Sequence, residues 1–140
     1  MTQSGPIIIV EDDHEDQELY VEAFKSIKAK NELIFFITPI EALDFLRATE
    51  KAPFLILSDI NMPDMNGIEF REQIESDKLL KAKNIPFVFL STSACRTDVN
   101  HAYHLTMQGF FVKPPCYDEL EKRLRLIIDY WTGSVNSNSQ

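Results

Sequence analysis

Four apolar segments of the sequence are each followed by side chains that can take part in chemistry. In chain order, these side chains are Glu11–Asp13, Asp59, Ser91 and Lys113. Carboxylates, a hydroxyl and an ammonium are together suited to phosphoryl transfer, because they can hold a metal ion and neutralise the charge on the phosphoryl oxygens. We expect Asp59 to be the reactive acid, since open α/β sheets keep their ligand sites at the carboxyl ends of buried strands. Taken alone, Asp59 fits equally well as a residue that caps the following turn.

The acids indicate a metal-assisted reaction. Neighbouring carboxylates repel one another unless a cation neutralises them, and a few hard oxygens with room for water suit Mg²⁺. We therefore expect Mg²⁺ to contact Asp12, Asp59 and an oxygen of the incoming substrate. Asp59 can itself act as the nucleophile and form an aspartyl phosphate. Because the sequence has no glycine-rich loop that would hold a nucleotide, the donor is expected to be a phosphorylated protein or a small acyl phosphate.

Alternating strand and helix patterns predict how these side chains are brought together. Short apolar runs predict strands at Pro6–Val10, Leu33–Ile37, Phe54–Leu57, Pro86–Leu90 and Gly109–Val112. Apolar residues at helical spacing predict helices at His14–Lys28, from Thr38 to about Leu46, and at Ile68–Ser76, Arg96–Leu105 and Tyr117–Trp131, with a polar connection at Lys78–Asn84. Five strand–helix units predict an α/β fold with one parallel sheet and helices on both faces. The carboxyl ends of parallel strands share one edge, so the four groups should converge there.

Composition limits the classes of function. The formal net charge of −8, with no compensating basic cluster, argues against direct binding to nucleic acid or to an anionic membrane. No apolar run approaches the ~20 residues of a membrane span, and Cys95 and Cys116 lack the spacing of a zinc or redox motif. These features predict a cytoplasmic protein with free thiols. We expect a single domain over residues 5–131 and a disordered polar tail at 132–140.

Four segments resemble the signatures of the receiver domain of two-component response regulators. The segments are Ile8–Asp13, Ser58–Gly67, Phe89–Ser93 and Gly109–Pro114. They occur in the right order and spacing, and the resemblance covers nearly the whole chain. It implies a stand-alone receiver with a flavodoxin-like, doubly wound (βα)5 fold and the strand order 2-1-3-4-5.

The resemblance also implies roles for individual residues around a phosphorylated aspartate. Asp59 would be the phosphoacceptor. The implied Mg²⁺ ligands are the carboxylates of Glu11, Asp12 and Asp59 and the backbone carbonyl of Asn61. Asp13 is a less certain member of this set, because the third acid of the motif varies in the family.

The last two strands would supply the groups that respond to phosphorylation. Ser91 matches the switch hydroxyl, although Thr92 is an alternative that the 22-residue spacing from Ser91 to Lys113 disfavours. Lys113 would bind the phosphoryl group, and its bond to Pro114 is expected to be cis, as in relatives. Phe110 matches a switch aromatic, or it is simply a core residue. The acids of the first helix are expected to form a solvated face, although kinases dock on that helix in the family.

The expected function is a signalling receiver, with self-phosphotransfer and slow autodephosphorylation as its only reactions. A sensor histidine kinase or a phosphotransfer protein would phosphorylate it. The signal would leave through a downstream protein or a self-dimer. The contact surface would be formed by the predicted helices Arg96–Leu105 and Tyr117–Trp131 and the predicted strand Gly109–Val112. The alternative is a protein-binding module that works without phosphorylation, against which the intact acids, hydroxyl and lysine argue. A Mg²⁺-dependent phosphohydrolase would need a loop long enough to build a substrate pocket.

Overall fold

Five strands and five helices are seen in the computed structural model, which describes residues 5–62, 64–91, 109–114 and 116–133. The strands are β1 Ile7–Val10, β2 Leu33–Phe36, β3 Leu55–Ser58, β4 Phe87–Ser91 and β5 Gly109–Val112. The helices are α1 His14–Ser26, α2 Pro39–Ala48, α3 Gly67–Ser76, α4 Lys78–Ala82 and α5 Tyr117–Gly133. All strand pairs are parallel and the order across the sheet is β2-β1-β3-β4-β5. The predicted flavodoxin-like fold and strand order are confirmed.

The sheet is buried on both faces by helices. Every residue of β1 and β3 is buried, which explains why these strands are continuous apolar runs rather than alternating ones. On one face the apolar side chains of α2, α3 and α4 cover Ile8, Val10 and Ile56. On the other face α1 and α5 cover Ile7 and Ile9. Burial on both faces fixes the ends of β1 and β3 and therefore the positions of the acids that follow them.

Side chains in the loops set where the helices begin. Asp13 is the N-cap of α1, and its carboxylate accepts hydrogen bonds from the backbone N–H groups of Glu15 and Asp16. Thr38 caps α2 with Pro39 in its first turn, as predicted. Because the cap at Asp13 starts α1 immediately after the acidic run, the first turn of α1 lies beside the carboxyl edge of the sheet.

One helix is absent from the prediction, and several helix ends differ from it by one or two residues, such as the end of α1 at Ser26 rather than Lys28. The segment predicted as a polar connection contains the short helix α4, capped by Asp77 and anchored by buried Leu80. A five-residue helix is too short to show helical periodicity in the sequence, so it was missed. Helix α5 continues through Gly133, two residues beyond the predicted end at Trp131. The helix predicted at Arg96–Leu105 and the rest of the predicted tail lie outside the described residues.

No helix in the described part of the chain has both the length and the apolar character needed to cross a bilayer.

Candidate functional site

The acids that follow β1 and β3 form one cluster at the carboxyl edge of the sheet. Val10 and Ser58 are paired in register, and the backbone N–H of Asp59 donates to the carbonyl of Val10 at 3.1 Å. This pairing places Glu11 and Asp59 side by side. Carboxylate oxygens of Glu11, Asp12 and Asp59 all lie within 4.8 Å of one another. The predicted convergence of these three acids is confirmed.

A tight turn holds the Asp59 carboxylate in place. Its Oδ1 accepts a hydrogen bond of 2.7 Å from the backbone N–H of Ile60. The loop then folds back, and the N–H of Gly67 donates to the carbonyl of Ile60 at 2.9 Å. A Cβ on Gly67 would lie 2.2 Å from the backbone oxygen of Asp59, so only glycine allows this approach. Asp64, in the same loop, has a φ of 67°, in the left-handed region that Asp and Asn tolerate.

Lys113, which follows β5, brings its ammonium into the acidic cluster. Its Nζ donates to Oε1 of Glu11 and, at 2.9 Å, to Oδ2 of Asp16, and lies 3.7 Å from Oδ2 of Asp59. Only 9% of the Lys113 side chain is exposed, against 2% for Glu11, 8% for Asp59 and 28% for Asp16. The ammonium also lies over the ring of Tyr20, with the ring centroid 5.8 Å from Nζ. The ammonium is therefore enclosed by three carboxylates and an aromatic face.

Asp16 was not predicted as part of the site. The acids of the first helix were expected to form a solvated face, and for Asp16 this is wrong. Asp16 and Tyr20 are four residues apart in α1 and so share one face of the helix, which is turned toward Lys113. The sequence does place Asp16 one helical turn before the aromatic residue Tyr20, which indicates that the two side chains share a face. It does not show that the lysine after β5 reaches Asp16.

The Lys113–Pro114 bond is not cis. No peptide bond within the ranges given above is cis, and this bond is among them, so the prediction of a cis bond is wrong for this structure. The tertiary amide before proline prefers the trans form by about 0.5–1 kcal/mol. The lysine side chain spans the distance to Glu11 and Asp16 from a trans backbone, so the geometry of the site does not require the less favourable isomer.

Burial sets the electrostatics of the cluster. It raises the pKa of Glu11 from 4.5 to about 7, outweighing the neighbouring ammonium of Lys113, which lowers it. Burial also raises the pKa of Asp59, against the opposing effects of Lys113 and of the backbone amides of Ile60 and Asn61. Burial alone would lower the pKa of Lys113, but its hydrogen bonds to Glu11 and Asp16 together raise it. One ammonium thus compensates the buried carboxylates only in part.

The donor set fits a hard divalent cation. Three carboxylates within 4.8 Å offer the oxygen ligands that such ions take, and Asp12 is exposed toward solvent, which leaves room for water ligands. The oxygens of Glu11 are already engaged, Oε1 by Lys113 and Oε2 by the backbone N–H of Asp13 at 3.2 Å. Asp12 and Asp59 are therefore the most direct candidate ligands. The role of the Asn61 carbonyl stays a prediction.

The two expected switch residues lie in the neighbouring strands β4 and β5. Ser91 ends β4, and its backbone is in register with Val112 of β5. Phe110 pairs with Phe89 in the same ladder. The side chains of Ser91 and Phe110 and the whole of Thr92 lie outside what the structure describes, so the switch roles stay predictions.

Comparisons with known proteins match most of the chain. The family model of the response regulator receiver domain matches residues 7–125. The chain is 31% identical to response regulator Rcp1 of Synechocystis over 134 residues, which cover 92% of this chain and 90% of Rcp1. It is 30% identical to the probable methanogenesis regulatory protein FilR2 of Methanothrix harundinacea over 131 residues, 91% of this chain and 83% of that protein.

Solved structures of receivers superpose closely on this fold. The crystal structure of the phosphorylated cyanobacterial phytochrome response regulator RcpA matches with a TM-score of 0.84 and 32% identity, covering 94% of this chain and 96% of RcpA. The Mn²⁺-bound form of Rcp1 matches with a TM-score of 0.79 and 32% identity, covering 93% and 96% of the two chains. The acidic edge of the sheet thus belongs to a chain that resembles these regulators over more than nine-tenths of its length.

Proposed function

Because the chain belongs to the response regulator receiver domain family of two-component signalling, we propose that it accepts a phosphoryl group on Asp59 from a histidine kinase or a phosphotransfer protein. One observation carries the proposal. The carboxylates of Glu11, Asp12 and Asp59 lie within 4.8 Å of one another, with the Lys113 ammonium 3.7 Å from Asp59. The groups that would serve as nucleophile, metal ligands and cation therefore lie close together.

The chemistry follows from these groups. A carboxylate oxygen of Asp59 attacks the phosphorus atom, and the bond from phosphorus to the donor breaks, with its electron pair remaining on the donor. The hydrogen bond from the Ile60 N–H orients the attacking carboxylate. Lys113 supplies positive charge next to the phosphoryl oxygens, where charge spreads in the loose transition state. Mg²⁺, held by Asp12 and Asp59 with Glu11 beside them, would neutralise the remaining negative charge.

Support for Mg²⁺ comes from the donor set and from relatives. Oxygen ligands with access to water suit this ion. Rcp1 has been solved in a Mn²⁺-bound form, and Mn²⁺ shares the preference for carboxylate and water ligands.

Phosphorylation would change the local charge and shift the balance between two conformations. The added group carries a charge of about −1.5 to −2 at pH 7. Lys113 directly follows β5, so a movement of its ammonium toward the phosphoryl group acts on that strand. Nearby apolar side chains are exposed on β5 and α5, namely Val112 (44%), Leu126 (65%) and Tyr130 (65%). We place the output at this surface, through contact with a downstream protein or with a second copy of the chain.

Two of the similar solved structures are regulators of phytochrome systems, which suggests a class of kinase to test. RcpA is a phytochrome response regulator, and the bacteriophytochrome response regulator RtBRR is 30% identical to this chain with a TM-score of 0.73. A phytochrome-class histidine kinase is therefore the donor to test first.

The proposed chemistry is limited to the protein's own carboxylate. The phosphoryl group arrives on Asp59 and leaves by slow hydrolysis, without turnover of an external substrate. The alternative, a binding module that works without phosphorylation, would not require the acids and the lysine that phosphoryl transfer uses to lie together.

Intact mass spectrometry after incubation with acetyl phosphate and Mg²⁺ tests the proposal. Wild type should gain about 80 Da, the mass of one phosphoryl group on a carboxylate, and Asp59→Asn should gain nothing. Asp64→Asn is a matched control, because it removes another acid of the same loop and keeps a residue that tolerates the left-handed backbone. Equal mass gains in wild type and Asp59→Asn would refute the assignment of Asp59.

A further inference from the structure

Asp16 lies outside the three-acid cluster and yet binds the lysine that the proposed chemistry needs. Its Oδ2 accepts a hydrogen bond of 2.9 Å from Lys113 Nζ, while Oδ2 of Asp59 lies at 3.7 Å, too far for a hydrogen bond. The ammonium is thus bonded to Glu11 and Asp16 and is only near the acid that would carry the phosphoryl group. To bond strongly to a phosphoryl oxygen on Asp59, it must move toward Asp59.

Of the two hydrogen bonds that hold Lys113, the one to Asp16 is easier to give up. Glu11 is 2% exposed, and its ionised form would be left in a buried position if the ammonium moved away. Asp16 is 28% exposed, so water can replace the lysine as its partner. Asp16 also stands in the first turn of α1, where the positive end of the helix dipole favours a carboxylate.

We propose that Asp16 is a positioning residue that competes with the phosphoryl group for Lys113. This inference rests on the proposed function. In the unphosphorylated protein Asp16 holds the ammonium toward α1, beside the ring of Tyr20. When Asp59 carries a phosphoryl group, Lys113 exchanges the hydrogen bond to Asp16 for one to a phosphoryl oxygen. Asp16 therefore lowers the stability of the phosphorylated state and connects the site to α1.

The exchange makes a prediction that a purely structural role for Asp16 does not make. Removing the Asp16 charge should strengthen the binding of a phosphoryl mimic without strengthening the binding of Mg²⁺. A residue that merely supported the fold would, when replaced, weaken both ligands together and lower the melting temperature.

Beryllofluoride, a stable phosphoryl mimic, can be titrated at saturating Mg²⁺ into wild type, Asp16→Asn and Asp16→Glu. Asp16→Asn should bind beryllofluoride about fivefold more tightly than wild type, which corresponds to roughly 1 kcal/mol. Asp16→Glu retains a carboxylate and should return the affinity toward that of wild type. Mg²⁺ alone, titrated into the same three proteins, should bind Asp16→Asn no more tightly than wild type.

Glu15→Gln is the matched control for charge. Glu15 lies in the same turn of α1 and is exposed to solvent, so its replacement removes an equal charge from the helix without removing a hydrogen bond to Lys113. Its affinity for beryllofluoride should equal that of wild type.

The outcomes separate this inference from the proposed function. Three results would overturn the proposed competition between Asp16 and the phosphoryl group while leaving Asp59 as phosphoacceptor. Asp16→Asn could bind beryllofluoride as tightly as wild type, it could bind it more weakly, or Glu15→Gln could show the same gain in affinity as Asp16→Asn. Failure of the wild type to bind beryllofluoride with Mg²⁺ present would instead count against the proposed function, and with it this inference.

Discussion

Buried Glu11 gives the protein an unusual dependence of stability on pH. Its pKa is about 7 in the folded protein and 4.5 ordinarily. Between these values the unfolded chain has lost the proton and the folded protein retains it. Stability conferred by this group is therefore fully present below pH 4.5 and decreases as the pH rises toward 7, by about 1.4 kcal/mol per pH unit. The difference between the two pKa values corresponds to a loss of roughly 3 kcal/mol.

Glu11→Gln removes this titration while preserving the size of the side chain and an oxygen that can accept from Lys113. Urea denaturation of both proteins at pH 5, 6, 7 and 8, with a chelator present, measures the free energy of unfolding at each pH. We expect the wild-type value to fall with rising pH relative to that of Glu11→Gln, by roughly 3 kcal/mol at most.

If the difference in unfolding free energy between the two proteins stays constant from pH 5 to pH 8, Glu11 has its ordinary pKa in the folded protein. The description of the buried cluster would then be wrong. Addition of Mg²⁺ at pH 8 should recover part of the lost wild-type stability, because the cation compensates the ionised carboxylates.

Three further predictions concern other parts of the fold. Leu124→Ala should destabilise the protein by about 2–5 kcal/mol in urea denaturation because its side chain is fully buried, whereas Leu126→Ala, two residues on and 65% exposed, should stay within about 0.5 kcal/mol of wild type; equal effects would contradict the packing of α5. Gly67→Ala should cost about 1–3 kcal/mol and weaken Mg²⁺ binding measured by calorimetry, because the added Cβ meets the backbone oxygen of Asp59 at 2.2 Å; wild-type Mg²⁺ affinity would contradict the described turn. A hydrogen bond from Arg47 on α2 lowers the pKa of Asp77, so the contribution of Asp77 to stability is present above pH 3.8 and is lost as the pH falls through the lowered pKa. Asp77→Asn should therefore reduce the difference between the free energies of unfolding at pH 6 and pH 3. An unchanged difference would exclude this role of Asp77.

The sequence predicts the sheet and its acidic edge because both depend on local patterns. Ile7–Val10 and Leu55–Ser58 are buried on both sides, and such strands show as uninterrupted apolar runs. The parallel arrangement then brings Glu11 and Asp59 together whatever the details of the loops. The strand order came from the resemblance to receiver domains and agrees with the structure.

The features that the sequence did not predict depend on the direction of individual side chains. Whether Asp16 faces solvent or Lys113 is decided by the rotation of α1 against the sheet, which the cap at Asp13 and the burial of Tyr20 set together. The isomer of the Lys113–Pro114 bond depends on a small energy difference that a motif does not determine. Helix α4 is too short for its periodicity to be visible.

The most direct test of the central claim is to locate the phosphoryl group on the chain. After treatment with acetyl phosphate and Mg²⁺, borohydride reduces an aspartyl phosphate to homoserine, and fragmentation of the peptides by mass spectrometry identifies the altered residue. Homoserine at position 59, dependent on Mg²⁺, is the predicted result. Homoserine at another aspartate, with residue 59 unchanged, would contradict the account.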